Sequence, residues 1–249
     1  MTDPLQPLVD LPGVRDAADR ARDALAAVHR HKANRRGWPT TAAEAAVRAA
    51  RSSAAIDGGS TGLPSVDGVV EDPILAGSLR VGQALDADAL RNLAGTWQRA
   101  PLQALARLHL LAAADLVSDE TLLGRPRAVA GVAERLDLLA QTVQATRAPA
   151  PVIAAVVHGE LLALQPFGTA DGVVARAASR LVTVSSGLDP HSLGVPEVFW
   201  LRRRQAYLDA AAGFRTGDPA AVGDWVILCC AALEDGAREA ASIADSAVG

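Results

Sequence analysis

Apolar residues recur every three or four positions between residues 13 and 31, with arginine and aspartate on the opposite face. This is the pattern of an amphipathic helix. Further segments of helical pattern follow along the chain. The predicted helices span residues 13–31, 41–56, 87–97, 101–117, 129–143, 152–164, 173 onward, 197–213 and 219–248. The pattern predicts an all-α fold of about nine helices in a single domain.

Local signals predict where some of these helices begin and end. Thr41 and Glu44 have the spacing of a capping box, which predicts a helix start at residue 41. The pair Gly58-Gly59 predicts its end. Residues 59–78 are rich in Gly, Ser, Pro and Asp and are predicted to be a long loop. Residues 79–85 are predicted to be extended, as in a short β-hairpin flap.

Composition supports the helical prediction and excludes several classes of protein. Half of the 249 residues are hydrophobic but only 3% are aromatic, and alanine, leucine and arginine dominate. This usage argues against disorder and against an all-β fold. A formal charge of −4 gives no long-range attraction to nucleic acid or to an anionic membrane. Lys32 is the only lysine. This bias toward arginine suggests a GC-rich genome.

The cysteines and the first residues bear on cellular location. Cys229 and Cys230 are adjacent within an apolar run, and they are predicted to be buried thiols in a reducing compartment. Residues 1–11 lack the basic and apolar regions of a secretory signal. No apolar stretch is long enough to cross a bilayer. We therefore expect a cytoplasmic protein.

The segment from His158 to Arg176 carries the most chemical information. A helix ends near Gln165, a Pro166-Phe167 pair turns the chain, and a loop of small residues precedes the next helix. Free backbone N–H groups and the positive end of the helix dipole converge at such a junction. The segment is therefore a candidate anion site.

This segment resembles the signature of the Fic (Fido) family, His-Pro-Phe-x-acid-Gly-Asn-Gly-Arg-x-x-Arg. Pro166, Phe167, Gly172 and Arg176 match it, whereas Gln165 stands at the position of the family's histidine. Active members of the family transfer AMP or a related group from a nucleotide to a protein hydroxyl. The resemblance implies a Fic-like helical domain over residues 40–235. Residues 1–39 are then a leader and first helix, and residues 236–249 a C-terminal helix end.

Three regions outside the motif extend the resemblance. Residues Ser53, Asp57 and Gly58 are similar to the inhibitory helix motif of the self-inhibited class, with Asp in place of Glu. In that class the acid pairs with the motif's second arginine and excludes a nucleotide γ-phosphate. The resemblance therefore predicts a salt bridge from Asp57 to Arg176. Further similar features are His158, Tyr207, the Gly217-Asp218 turn and Trp225.

The substitutions in the motif affect each step of the family's chemistry. The Gln165 amide cannot act as a general base, and losing such a base typically costs about 10²–10⁴-fold in rate. Thr169 replaces the acid that holds Mg²⁺ and is a weaker ligand for a hard cation. Val173 replaces an arginine that neutralises phosphate. No catalytic residue and no metal ligand is therefore predicted.

Asp171 replaces the motif's asparagine and has two interpretations. It is an N-cap of the following helix, in which case the protein fills its own anion hole; or it is a displaced metal ligand. We favour the first. His158 lies about two turns before Gln165, too far to replace the missing base, and is predicted to be a hydrogen-bonded core residue. His109, within an apolar helix, has the same prediction.

Three hypotheses about function follow. The first is a pseudoenzyme that acts through contacts with a protein partner and takes no cofactor. The second is a protein nucleotidyltransferase that uses Mg-ATP by an altered mechanism, with Gly172 and Arg176 as the candidates for cofactor binding. The third, which rests on the family resemblance alone, is a bacterial regulatory partner in a toxin–antitoxin-like setting. No nucleic-acid or membrane partner is expected, and self-association remains open.

Overall fold

Helices make up nearly all the regular structure in the computed structural model, which describes residues 3–63 and 69–247 and their side chains except those of residues 87 and 88. The described part contains twelve α-helices, a short 3₁₀ turn at Glu120–Leu122 and no strand. The helices are α1 (Gln6–Val9), α2 (Val14–Arg30), α3 (Asn34–Ile56), α4 (Pro73–Ala84), α5 (Ala87–Arg99), α6 (Pro101–Ala113), α7 (Val132–Ala145), α8 (Ala150–Leu164), α9 (Asp171–Ser185), α10 (Pro196–Arg202), α11 (Arg204–Phe214) and α12 (Pro219–Ser246). The all-α prediction is confirmed, and the described part has twelve α-helices, three more than the nine predicted.

Helices α8 and α9 form the centre of the molecule. Every residue of α9 from Val173 to Val184 is buried. One apolar cluster packs α8 and α9 against α5, α6 and α7. A second cluster joins α8 to α2, α11 and α12. The loop between α8 and α9, which carries the candidate motif, therefore joins two helices that are packed into the apolar core.

Helix α3 begins earlier than its capping-box pattern predicts. It starts at Asn34 and continues through Pro39, so Thr41 is an interior residue and the predicted start is wrong. The Thr41 hydroxyl donates to Asn34 Oδ1 at 2.7 Å, and Asn34 Nδ2 donates to the Val28 carbonyl at 2.9 Å. These buried bonds join the first turns of α3 to the end of α2. Pro39 leaves the Arg35 carbonyl without its helical donor, which is tolerated because Arg35 is exposed.

Helix α4 replaces the last six residues of the predicted loop and all but the last residue of the predicted flap. Residues 79–84 are helical, so the β-hairpin flap is wrong. Asp72 caps the helix by accepting a bond from Leu75 N at 2.7 Å, and Pro73 occupies the first turn. A β-carbon on Gly77 would lie 2.0 Å from the Ala112 carbonyl oxygen, so glycine is required where α4 crosses α6. Residues 64–68 of the predicted loop lie outside the described part.

The C-terminal region differs from prediction at one point. The predicted helix over residues 197–213 is broken at Arg203, whose φ of −120° and ψ of 38° separate α10 from α11. The Arg203 guanidinium lies 4.3 Å from the centre of the Phe199 ring. Helix α12 then runs unbroken from Pro219 to Ser246.

Helix α12 packs along α2 and buries both cysteines. Cys229 and Cys230 are free thiols, as predicted, and burial raises the pKa of each. Within the described residues, no helix is long and apolar enough to cross a membrane.

Candidate functional site

The motif loop, residues 165–170, is held in a tight turn by left-handed residues at both ends. Gln165 ends α8 with a φ of 46°, and Ala170 precedes α9 with a φ of 52°. Gly168 between them has a φ of 78°. Positive φ is unfavourable for residues other than glycine and persists only where surrounding contacts impose it. Gln165, the first residue of the motif loop, is exposed.

Asp171 folds back onto the motif loop. Its Oδ1 accepts a bond from Phe167 N at 2.9 Å, and its Oδ2 accepts one from Gly168 N at 2.8 Å. The predicted N-cap role is wrong, because Asp171 is the first helical residue and Ala170 holds the cap position without a side-chain bond. The expectation that this carboxylate fills the loop's own anion hole agrees with the two bonds.

The ionisation of Asp171 is under opposing influences. Burial raises the pKa of this carboxyl, whereas its two backbone N–H bonds lower it. Arg127 also lowers the pKa, and the Asp57 charge raises it. The net shift is upward. Both carboxylate oxygens accept N–H bonds, which disfavours the interpretation of Asp171 as a displaced metal ligand.

Thr169 is bonded to a buried histidine. Its Oγ1 lies 3.1 Å from His109 Nε2, and His109 Nδ1 accepts a bond from Gly124 N at 2.9 Å. Since Nδ1 is the acceptor, the proton is assigned to Nε2, which donates to Thr169. Burial lowers the pKa of His109 to about 4, so the ring is neutral. His109 also stacks on Phe167 with ring centres 4.2 Å apart. The prediction of a hydrogen-bonded core histidine is confirmed; its contact with the motif loop was not predicted.

Arg127 holds the start of the motif loop through three hydrogen bonds. Its guanidinium donates to the Gln165 carbonyl at 2.8 Å and to the Leu164 carbonyl at 3.0 Å, at the C-terminus of α8. The backbone N–H of Arg127 donates to the Pro166 carbonyl at 2.7 Å. A β-carbon on Gly168 would lie 3.0 Å from Arg127 Cδ. Sequence reasoning missed Arg127, which lies in a segment of irregular structure with no local signal.

Arg176 is the centre of a buried polar cluster. Its Nη2 donates to Asp57 Oδ2 at 2.7 Å, so the predicted ion pair forms. The guanidinium also donates to Ser53 Oγ at 2.8 Å and to the Ser53 carbonyl at 3.0 Å. Tyr207 accepts a longer bond of 3.4 Å. Burial disfavours the charge, but Asp57 and then Tyr207 outweigh it and raise the pKa of Arg176.

The end of α3 presents Asp57 to that cluster. Gly58 has a φ of 90°, a left-handed conformation that favours glycine, and it ends the helix as predicted. Gly58 N donates to the Ala55 carbonyl at 3.2 Å, and Gly59 N donates to the Ala54 carbonyl at 2.8 Å. These two bonds form a Schellman motif. Asp57 is therefore held at the C-cap position of α3, just after its last residue, Ile56.

Two further residues shape the Asp57 position. Arg204 of α11 donates to the Ile56 carbonyl at 2.8 Å. Gly172 of α9 lies directly against the Asp57 carboxylate, and a β-carbon at position 172 would be 2.5 Å from Asp57 Oδ2. The Asp57 carboxylate thus lies over the first turn of α9. Sequence reasoning missed Arg204, since nothing in its run of three arginines distinguishes it.

His158 lies behind Arg176 in the core. Its Nε2 is 2.8 Å from the Tyr207 hydroxyl, and its ring meets Trp200 and Trp225 edge-on, with centres 4.7 and 5.1 Å away. Burial, then the Arg176 charge, lower the pKa of His158 well below its ordinary value. His158 is a neutral core residue, as predicted, and Tyr207 links it to Arg176.

The residues at the loop do not fit a magnesium-bound nucleotide phosphate. Two loop N–H groups are bonded to Asp171, and the Thr169 hydroxyl is bonded to His109. The position of the family's first arginine holds Val173, which is buried. The N–H groups of Phe167 and Gly168 are thus paired with Asp171, and Arg176 is paired with Asp57.

The fold is that of solved Fic proteins. A Fic family protein from Desulfovibrio desulfuricans G20 superimposes with a TM-score of 0.71 at 18% sequence identity, over 93% of this chain and 74% of that chain. No protein-family model and no curated protein sequence matches the chain. At this identity the similarity establishes the fold, and the site must be interpreted from its own residues.

Proposed function

We propose that this chain is a Fic-fold pseudoenzyme that acts in the bacterial cytoplasm through contacts with a protein partner. The observation that carries the proposal is the bonding of Asp171 to Phe167 N and Gly168 N. A phosphate at these N–H groups would have to displace a buried carboxylate and meet its negative charge. Such a displacement costs the bonds as well as the charge repulsion.

The other substitutions support the same interpretation. Gln165 has no titratable group with which to accept the proton of an attacking hydroxyl. Val173 supplies no charge to a phosphate. Base, metal ligand and phosphate arginine are absent together from the positions that match the family motif. Loss of one of these groups would leave a weakened enzyme, whereas the loss of all three favours a protein that keeps the fold without the catalytic activity.

One observation favours the alternative, a protein nucleotidyltransferase with an altered mechanism. Arg176 is held by Ser53 and Tyr207 as well as by Asp57. It would therefore keep its position if Asp57 moved away, and could then meet a phosphate. Such an enzyme would need tight positioning of the target hydroxyl, because no general base replaces the histidine.

Thermal unfolding with and without Mg-ATP distinguishes the two candidates. A ligand at 100 times its dissociation constant stabilises a protein by about 2.7 kcal/mol. We expect no shift for the natural chain, and a shift for the double variant Asp57→Gly with Asp171→Asn, in which both carboxylates are removed. Asp224→Asn, a change at an exposed aspartate of α12, is the control for loss of charge.

Labelled-nucleotide transfer gives the second measurement. The pseudoenzyme proposal expects no transfer to itself or to added protein by the natural chain. Transfer that depends on Arg176 and rises in Asp57→Gly would establish the enzyme instead. A shift with Mg-ATP in the natural chain, without transfer, would show that the anion site is open and would overturn the role assigned to Asp171.

A further inference from the structure

Four cations lie close together where α2 ends and α3 begins. They are the exposed residues Arg30, Lys32, Arg35 and Arg36, which we call the basic patch. The sequence has no acidic residue between Asp23 and Glu44. Within the described residues none of the four makes an ion pair, whereas other surface arginines such as Arg80 have acidic partners. The basic patch is therefore a concentration of unpaired positive charge on a chain whose formal charge is −4.

The stability of the two helices explains only part of the basic patch. A cation near the C-terminus of a helix is favourable, and Arg30 lies in the last turn of α2. Arg35 and Arg36 lie in the first turn of α3, where the helix dipole disfavours positive charge. Residues 34–37 include no acid that would offset them. These two arginines therefore oppose the stability of α3, as residues that serve a contact with another molecule often do.

Contacts on both sides of the turn hold the backbone that carries the basic patch. Buried Asn34 donates to a carbonyl in the last turn of α2 at 2.9 Å, and His31 Nε2 lies 3.1 Å from Asp245 Oδ1. The half-buried Trp38 stacks on His191 with ring centres 4.0 Å apart. The cations are thus carried by a fixed turn, so a partner would not have to order this backbone on binding.

We propose that the basic patch binds an acidic segment of a protein partner. Trp38 lies one turn after Arg35 on α3, and therefore on the same side of the helix. Arginine and tryptophan are both enriched in protein interfaces. The inference names the kind of partner that the proposed function requires, and it rests on that proposal for the existence of a partner.

An acidic peptide fits the basic patch better than a nucleic acid does. The whole chain carries −4 and the patch carries +4, so the other residues carry −8. A nucleic acid has a charge on every phosphate, so beyond the patch it would meet the rest of the protein, which is net acidic. A peptide whose carboxylates are confined to one short segment avoids this repulsion and gains the local complementarity.

Binding of a fluorescently labelled peptide of alternating glutamate and serine tests the proposal, measured by anisotropy at physiological ionic strength. Exposed charges more than about 8 Å apart are then largely screened, so the field of the whole chain contributes little. The patch variant carries Arg30→Gln, Lys32→Gln, Arg35→Gln and Arg36→Gln. We expect its dissociation constant for the peptide to be at least about tenfold higher than that of the natural chain.

A control variant has the same net charge as the patch variant. It carries Gln at four other exposed arginines that make no ion pair within the described residues, through the changes Arg99→Gln, Arg107→Gln, Arg125→Gln and Arg215→Gln. We expect its dissociation constant to stay within about twofold of the natural value, because screening removes the effect of distant charges.

The double variant Arg35→Glu with Arg36→Glu gives a second readout. Acidic residues in the first turn favour a helix, so the urea midpoint should rise while peptide binding weakens. Opposite changes in stability and binding are expected of residues kept for a contact. A lower midpoint would show that the arginines stabilise α3 and would contradict the proposal.

The binding measurements have outcomes that overturn the proposal. They are equal weakening in the patch and control variants, and no binding of the peptide by the natural chain. A labelled single-stranded oligonucleotide that binds more tightly than the peptide, and is lost in the patch variant, would assign the patch to nucleic acid instead. None of these measurements uses Mg-ATP, so they can fail while the pseudoenzyme proposal stands. Transfer from a labelled nucleotide would overturn that proposal and leave peptide binding unchanged.

Discussion

The Asp57 carboxylate occupies the space that a side chain at Gly172 would fill. A β-carbon on Gly172 would lie 2.5 Å from one carboxylate oxygen and 2.6 Å from the other. The glycine therefore allows the end of α3 to reach the first turn of α9, where Asp57 meets Arg176 at 2.7 Å. The missing side chain at position 172 leaves the space that the Asp57 carboxylate occupies, and substitutions at the two positions test this fit.

We predict that Gly172→Ala displaces Asp57 and weakens its bond to Arg176. A hydrogen bond to a charged group contributes about 1.5–3 kcal/mol. The gain in helix propensity of about 1 kcal/mol offsets part of this loss. Urea unfolding should therefore show net destabilisation.

In the Asp57→Ala background the same change should stabilise by about 1 kcal/mol, because only the propensity gain remains. The reversal of sign is the specific signature of contact between the two positions. An equal effect of Gly172→Ala in both backgrounds would contradict the contact.

We predict that the protein loses stability as the pH falls below about 6.5, because His109 and His158 are buried in the neutral form. A folded pKa below the unfolded value means that the unfolded chain binds more protons between the two values. Stability is then complete above the unfolded pKa and is lost as the pH falls. At pH 5 the loss from His109, whose pKa is lowered to about 4, is about 2 kcal/mol, and His158 acts in the same direction.

Denaturant unfolding between pH 7.5 and pH 5 measures this loss. In His109→Gln, which keeps an N–H donor for Thr169, about 2 kcal/mol of the loss at pH 5 should disappear. Asp171 acts in the opposite sense, because its pKa is raised from the ordinary 3.8, and it does so at lower pH. An unchanged pH dependence in His109→Gln would show that His109 is not held neutral.

We predict that Arg127→Ala loosens the motif loop with little effect on global stability. Arg127 is exposed, and its bonds to the Leu164 and Gln165 carbonyls contribute about 1 kcal/mol in total at such a site. Amide exchange of Phe167 and Gly168 should rise by up to about tenfold. Arg125→Ala, in the same segment, is the matched control and should leave these amides unchanged.

We predict that Arg204→Ala frees the end of α3. Loss of the bond to the Ile56 carbonyl should cost about 0.5–1.5 kcal/mol and speed amide exchange at Gly58 and Gly59. Arg202→Ala is the control, because among the described residues Arg202 makes only two long ion pairs of 3.7 Å, with Asp235 and Glu239 of α12. Equal exchange in the two variants would contradict a role for Arg204 in holding Asp57.

The sequence predicted those parts of the site that depend on short patterns. The Gly58-Gly59 pair predicted the end of α3, and the resemblance of Ser53, Asp57 and Gly58 to an inhibitory motif predicted the ion pair to Arg176. Apolar spacing predicted most helices, since a period near 3.6 is visible wherever one face is buried.

The sequence did not predict features that depend on contacts between distant segments. Helix α4 was missed because its glycines weaken the helical signal, although Gly77 is required by the approach of α6; the Asp72-Pro73 pair was the available clue. The backward turn of Asp171 depends on positive φ at Ala170, which no rule for alanine predicts. Arg127 was missed because its partners are backbone carbonyls about 38 residues away, and the carbonyl of every residue is chemically alike.

Because Cys229 and Cys230 are free and buried, the reactivity of their thiols depends on local opening of the structure around α12. Only a thiolate reacts readily, and both thiols have raised pKa values within the packed face of α12. A thiol reagent can therefore modify them only after α12 separates locally or the whole chain unfolds. The rate of modification consequently measures how often that interface opens, and it needs no added label.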